Sequence, residues 1–259
     1  MTAPLTRPAL VDQLQALGLP AGVPLMVHAS LRRVGAIDGG ADTLIDALLD
    51  VLGPRGTLVL PLGSQDEQAF DALTSPAETD LGVLNEVFRR RRETIVNDHP
   101  AGRFGAIGPQ ATELLEPIPL HDYYGPGSPL ARFSERGWVL RLGADVDTVT
   151  VTHWAEYLAR LPHKRRVRRH YRRADGTEQW VDSLDDAEGI AEWPHGDYFA
   201  RIWLDYRERE AVRRGTVGGA QAELFAAAPF VDFAVRWMEG HLGDAQPSDP
   251  HASDGAPRG

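Results

Sequence analysis

Two short apolar runs bracket an amphipathic helix near the N-terminus, and this arrangement restricts the fold more than any other feature. "PLMVHASL" starts at Pro24 and "GTLVLPLG" starts at Gly56. Both are short, bounded and continuously apolar, as buried strands are. Between them lies "GGADTLIDALLDVLG", which places Leu44, Ile45, Leu48, Leu49 and Leu52 on one stripe. Gly39 and Gly40 make the turn before that helix, and Gly53 is positioned to cap its end. Strand, helix and strand in this order predict a parallel crossover.

The remaining chain supplies more of both elements. Residues 8–18 have helical spacing through Leu10, Leu14 and Leu17. Residues 64–80 read as a polar loop, and "LGVLNEVFRRRR" reads as a helix. "HPAGRFGAIGPQATELLEP" reads as a glycine- and proline-punctuated loop leading into a helix, and "PLHDYYGPGSPLARF" as a second long loop. "GWVLRLGAD" is a third apolar strand. After Pro162 the character changes. "HKRRVRRHYRRADGTEQWVDSL" predicts a basic hairpin turning at Asp175-Gly176, with Arg166, Arg168 and Tyr171 on its outer face. Helical spacing returns in "YFARIWLDYRERE" and throughout "AQAELFAAAPFVDFAVRWMEGHL". The expected class is α/β or α+β, with a mixed, partly parallel sheet flanked by helices and a C-terminal hairpin and helical part. Residues 1–243 are expected to form one domain, with a subdomain boundary near 162. The polar stretch 244–259 reads as disordered.

Composition narrows the function classes. The formal net charge is −10, which disfavours nucleic acid and favours a cationic ligand, although many acidic proteins are acidic for solubility alone. There are no cysteines, so disulfides, thiolate nucleophiles and Cys-ligated metals are excluded. No apolar run reaches the roughly 18 residues of a membrane span, and the N-terminus lacks a signal-peptide pattern. A cytoplasmic location is expected.

Three groups of residues could carry chemistry. In "DTVTVTHWAEYLARLP", alternating β-branched residues give way to helical spacing at His153. His153 and Glu156 then stand at i and i+3 on one face. A carboxylate beside an imidazole raises its pKa and stabilises the imidazolium that proton abstraction creates. The competing reading is a polar helix start. A metal is not expected, because no second HxxE and no HExxH occurs. The loop His28, Ala29, Ser30, Leu31, Arg32, Arg33 and Val34 leaves a strand end and could offer N–H groups and two arginines to a diphosphate. It matches neither GxxxxGK[ST] nor GxGxxG, so it is also readable as an ordinary turn. Acidic clusters at Asp66, Glu67 and Asp71, and at Asp182, Asp185, Asp186 and Glu188, suit a polyamine or else are solvated turns.

Taken together, "LMVHASLRRVG", "GGADTLIDALLDVLGPRGTLVLP", "HPAGRFGAIGPQATELL", "GPGSPLARF", "VLRLGADVDTVTVTHWAEY" and "RRGTVGGAQAELF…VDFAVRW" resemble the aminoglycoside 3-N-acetyltransferase family over residues 8 to 240. The resemblance implies acetyl transfer from acetyl-coenzyme A to the 3-amino group of a 2-deoxystreptamine ring, which confers resistance. It implies that His153 is the catalytic histidine and Glu156 its partner. The 28–34 loop would bind coenzyme A, and Arg103 and Phe104 would contact the pantetheine side. Asp66, Glu67, Glu156, Asp185 and Asp186 would hold the drug's ammonium groups. The chain departs from the family pattern at Val146 and Val149, where relatives carry His and Asn, and at Ala187, which replaces an acid. Direct transfer without a covalent acetyl-enzyme or a metal is expected, by a monomer or homodimer. The alternatives are acetylation of another amine in a biosynthetic pathway, or non-catalytic binding of a cation.

Overall fold

The computed structural model describes residues 3–64, 69–209 and 211–243. Strand β1 (Pro24–Ala29) and strand β2 (Thr57–Pro61) are buried almost throughout. They pair in parallel, with Pro24 opposite Thr57 and Met26 opposite Val59. Helix α1 (Arg7–Ala16), the one-turn helix α2 (Leu31–Val34) and helix α3 (Gly40–Leu52) lie on one side of them. Helix α3 buries Ala41, Leu44, Ile45, Ala47, Leu48, Val51 and Leu52. Leu49 packs at the margin of that stripe. Gly53, at φ 65°, ends the helix and donates its N–H to Leu49 O, as its position predicts.

Helix α4 (Val83–Arg90) leads to strands β3 (Ile95–Val96) and β4 (Phe104–Ile107). Helices α5 (Ala111–Leu115) and α6 (Pro129–Arg136) follow, then strand β5 (Trp138–Leu142) and helix α7 (Thr152–Leu158). The hairpin β6 (Arg166–Arg172) and β7 (Glu178–Leu184) stands apart as a two-stranded sheet. Helix α8 (Tyr198–Arg207), strands β8 (Arg213–Val217) and β9 (Ala220–Ala226), and helix α9 (Ala227–His241) complete the described chain.

The main sheet has the order β3-β4-β2-β1-β5-β9-β8. Strands β2, β1 and β5 are parallel, and the outer strands pair antiparallel on each flank. This is the mixed sheet that the sequence predicts. Alternate residues face opposite cores, as the strand period requires. Leu25, Val27, Leu58 and Leu60 pack under α1, α3 and α4. Met26, Val59, Val139 and Phe225 pack under helices α5 to α9. Among the described residues, no helix is long and apolar enough to cross a membrane.

Four local expectations need correction. "PLARF", the end of the second long loop, opens helix α6, where the Ser128 hydroxyl oxygen accepts the Ala131 N–H at 3.1 Å and caps the helix start. "AQAELFA" is strand β9 and not the start of a helix. It lies inside the sheet and is mostly buried, so its apolar run lacks a strand's alternation. The Gly218-Gly219 turn joining it to β8, with Val217 opposite Ala220, is the signal that marks the hairpin. "FGAI" is strand β4 and not loop. Its Gly105 sits where a Cβ would come within 3.0–3.2 Å of Thr94, Leu62 and Phe88, so glycine there reflects close packing. Tyr171 lies on the inner face of its hairpin, buried with Tyr123 and Val181. It is an odd number of residues from Arg166, so the two side chains point to opposite faces. The outer face carries Arg166, Arg168, His170 and Arg172. The stretch 244–259, like Asp66 and Glu67, lies outside the described residues.

Candidate active site

The site forms at the C-terminal ends of the central parallel strands, where crossover loops leave the sheet in different directions. Open α/β sheets place their ligand crevices here. After β5 the chain runs through Ala144 to Val151 before α7 begins. Val149 and Val151 are buried and anchor this loop. Thr152 N–H and His153 N–H then bond to the carbonyls of Val149 and Thr150, at 2.9 and 3.1 Å, and start the helix.

His153 and Glu156 therefore share the inner face of α7. His153 Nδ1 lies 2.8 Å from Glu156 Oε2. The Glu156 side chain is 1% exposed and the His153 side chain 17%. The other carboxylate oxygen of Glu156 accepts a hydrogen bond from the Tyr198 hydroxyl. That hydroxyl itself accepts the Ile190 N–H at 2.9 Å. The imidazole is held between Tyr124, stacked at 5.0 Å and 11°, and Phe199, tilted at 5.0 Å. With Nδ1 engaged by the carboxylate, Nε2 is the nitrogen left with a lone pair. Burial lowers the His153 pKa, but the hydrogen bond and charge of Glu156, with Asp186 beyond, overcome it and raise the pKa above 6.5.

Two cavities meet at this ring. The larger, of about 1150 Å³, carries Asp80, Asp147, Asp186, Glu188, Glu192 and Asp197 on its walls and, among the described residues, a single arginine, Arg165. Its potential is negative, and it suits a polycation. The smaller, of about 320 Å³, is bounded by Pro61, Gly63, Ser64, Glu78, Tyr123 and Tyr124. Leu81, Thr150, His153, Asp186 and Ala187 border both. An imidazole with one free nitrogen, a buried carboxylate behind it and an acidic cleft in front can take a proton from a bound ammonium group.

The model of the aminoglycoside 3-N-acetyltransferase family matches residues 26–239. The chain belongs to this family. An aminoglycoside N(3)-acetyltransferase III of Pseudomonas aeruginosa is 39% identical, over 95% of this chain and 97% of the relative. The solved structure of AAC-IIIb, binary with CoASH, has a TM-score of 0.89 at 34% identity, covering 95% of this chain and 100% of that one. AAC-VIa bound to sisomicin has a TM-score of 0.85 at 36% identity, covering 92% and 99%. The protein is therefore an acetyltransferase.

The acetyltransferase distributes its expected coenzyme A residues unevenly. His28 is 5% exposed, and its Nε2 accepts the Thr150 N–H at 3.5 Å. Burial first, then the Arg141 charge, push its pKa down to about 3, so it stays neutral and ties the end of β1 to the loop before α7. Ser30 N–H bonds to Leu142 O at 2.9 Å, and the residues from Leu31 onward form a helical turn instead of an open loop. Val34 is buried in the core. Arg33 is committed to Asp145 at 2.6 Å and to Gly143 O. Arg32 is exposed and makes no ion pair among the described residues, whereas the apolar side chains of Ala29 and Leu31 are partly buried against the core.

Neither Arg103 nor Phe104 reaches either cavity with its side chain. Both are 1% exposed. The Arg103 guanidinium donates to Gly63 O, Pro76 O and Ser75 O at 3.2, 3.1 and 2.7 Å. It acts as a clamp behind the wall that carries Ser64 and Glu78. Phe104 is in the core, edge-on to Tyr124 at 6.0 Å. Of the acidic pair, Asp186 stands on the cavity wall, where Tyr123 and Arg169 hold it. Asp185 turns inward, accepts the N–H groups of Ala187 and Glu188 at 3.1 Å each, and is 4% exposed. Asp80, Asp147, Glu192, Asp197, Tyr124, Tyr198 and Phe199 were not expected at the site. Only Asp147 carried a signal, being an acid in the loop between an apolar strand and the histidine.

Proposed function

We propose that the protein acetylates the 3-amino group of the 2-deoxystreptamine ring of aminoglycosides, with acetyl-coenzyme A as donor and His153 as general base. Resistance to the drug is the consequence. The observation that carries this reading is the His153–Glu156 pair, joined through Nδ1, with His153 on the wall of the acidic cleft. In it, the cleft holds the drug through its ammonium groups, and acetyl-coenzyme A approaches along Ala29 to Arg32 with Arg32 free for its diphosphate. His153 Nε2 takes a proton from the 3-ammonium group, and Glu156 stabilises the imidazolium. The free amine attacks the thioester carbon, a C–N bond forms and the C–S bond breaks. The nitrogen gives up two protons in all: the imidazolium passes the first, taken from the ammonium, to the departing thiolate, giving coenzyme A, and the second, shed as the amide forms, goes to the now neutral His153 and on to solvent. Transfer is direct, and no metal takes part.

Asp80→Asn combined with Glu188→Gln tests the division of the site. Steady-state kinetics with sisomicin should show its KM raised roughly tenfold, with the KM for acetyl-coenzyme A unchanged. The difference should shrink with added salt, because both carboxylates are exposed. Equal changes in both KM values would remove the cleft from the drug's binding site.

A further inference from the structure

The start of α8 holds both members of the dyad at once. Asp197 caps this helix, accepting the Phe199 N–H at 2.7 Å, and so fixes where residues 198 and 199 project. Phe199 packs on the His153 ring. Tyr198, 4% exposed, donates its hydroxyl proton to Glu156. The same hydroxyl receives the Ile190 N–H from the loop whose residues 186–189 line the cleft. Gly189 presses on it so closely, at φ 79°, that a Cβ would lie 2.5 Å from the oxygen. One hydroxyl thus joins the acidic wall to the carboxylate behind His153.

We infer that Tyr198 is a positioning residue for the transfer: its O–H occupies one oxygen of Glu156, reserves the other for His153 Nδ1–H, and so leaves Nε2 unprotonated toward the substrates. This inference rests on His153 being the base. Burial and then the charge of Glu156 hold the phenol well above its ordinary pKa, so it remains a donor across the working range. Without it, Glu156 keeps an unanswered buried oxygen and is free to rotate, and the imidazole loses the partner that selects its tautomer. Charged or titratable neighbours of the dyad are Asp186 on the cleft wall, Tyr124 across the ring, Tyr198 itself and Lys164, whose ammonium interacts with the Glu156 charge and is bonded to Tyr157 O at 3.0 Å.

The test is a double-mutant cycle of Tyr198→Phe with Glu156→Gln, with acetyl-coenzyme A and sisomicin as probes. Tyr198→Phe should lower kcat about tenfold and leave the KM for acetyl-coenzyme A unchanged. In the Glu156→Gln background it should cost little more, because the tyrosine acts through that carboxylate. In ¹⁵N NMR, the His153 signals, assigned by their loss in His153→Gln, should change from a single Nδ1–H tautomer to a mixture. Full activity in Tyr198→Phe, additive losses in the cycle, or an unchanged tautomer would each overturn the inference. Full activity in His153→Gln would instead remove the base on which it rests, so the two failures are distinct.

Discussion

His153→Gln lowers kcat by about 10²–10⁴-fold, the usual contribution of a general base, and leaves the KM for acetyl-coenzyme A nearly unchanged. That is the expected result of steady-state assays of thiol release. The ring is sandwiched by Tyr124 and Phe199, so glutamine preserves most of the packing while removing the base. The pH profile gives an independent check. Because the pKa of His153 is raised, kcat/KM in the wild type should fall as pH drops through that raised value, where the ring becomes protonated. Glu156→Gln removes the two largest influences that raise it and leaves burial, which lowers it. The acid limb should therefore move to lower pH while the maximal rate falls. The linkage to stability has the opposite sense. A raised histidine pKa stabilises the fold below the unfolded value near 6.5, and this contribution is lost as pH rises through the folded value.

The largest expected effect on stability is at Arg141. Arg141→Met should destabilise the protein by about 3–5 kcal/mol in denaturant titration, the cost of stranding one member of a buried ion pair. Arg141 lies directly opposite Glu223 across strands β5 and β9 and is bonded to it, with side chains 2% and 12% exposed. Its guanidinium also sits 4.1 Å over the Trp203 ring. Further N–H groups reach Asp145 O at 2.6 Å and Thr148 O at 3.3 Å, so the same side chain braces the loop that delivers His153. Glu223 retains Arg207 at 3.3 Å, a bond too exposed on the arginine side to replace Arg141. A loss below about 1 kcal/mol, the range of exposed pairs, would show that the buried pair is dispensable.

The β1–α3–β2 unit was legible because its glycines, its stripe and its two apolar runs all favour one local structure. Strand β9 was not, because a run buried on both faces has no alternation to read. The His153–Glu156 pair was legible for a similar reason, being a contact within one turn of helix. Tyr198 lies 42 residues from Glu156 and meets it only through the packing of α8. Nothing in "GDYFARI" marks it. Segment resemblance pointed to Arg103 and Asp185, but it carries no information on side-chain direction. Arg103 turns back to three carbonyls and Asp185 caps its own loop, while Asp186 takes the wall. The acidic cleft draws on residues from 80 to 197, which only the fold assembles.

The central claim is tested most directly by identifying the product. The purified chain is incubated with acetyl-coenzyme A and sisomicin, thiol release is counted, and the acetylated nitrogen is located by two-dimensional NMR. The expected result is one thiol released per acetyl transferred, with the acetyl group on N3, and both slowed by about 10²–10⁴-fold in the His153→Gln variant. Acetylation at another nitrogen, or no thiol release although both ligands bind, would contradict it.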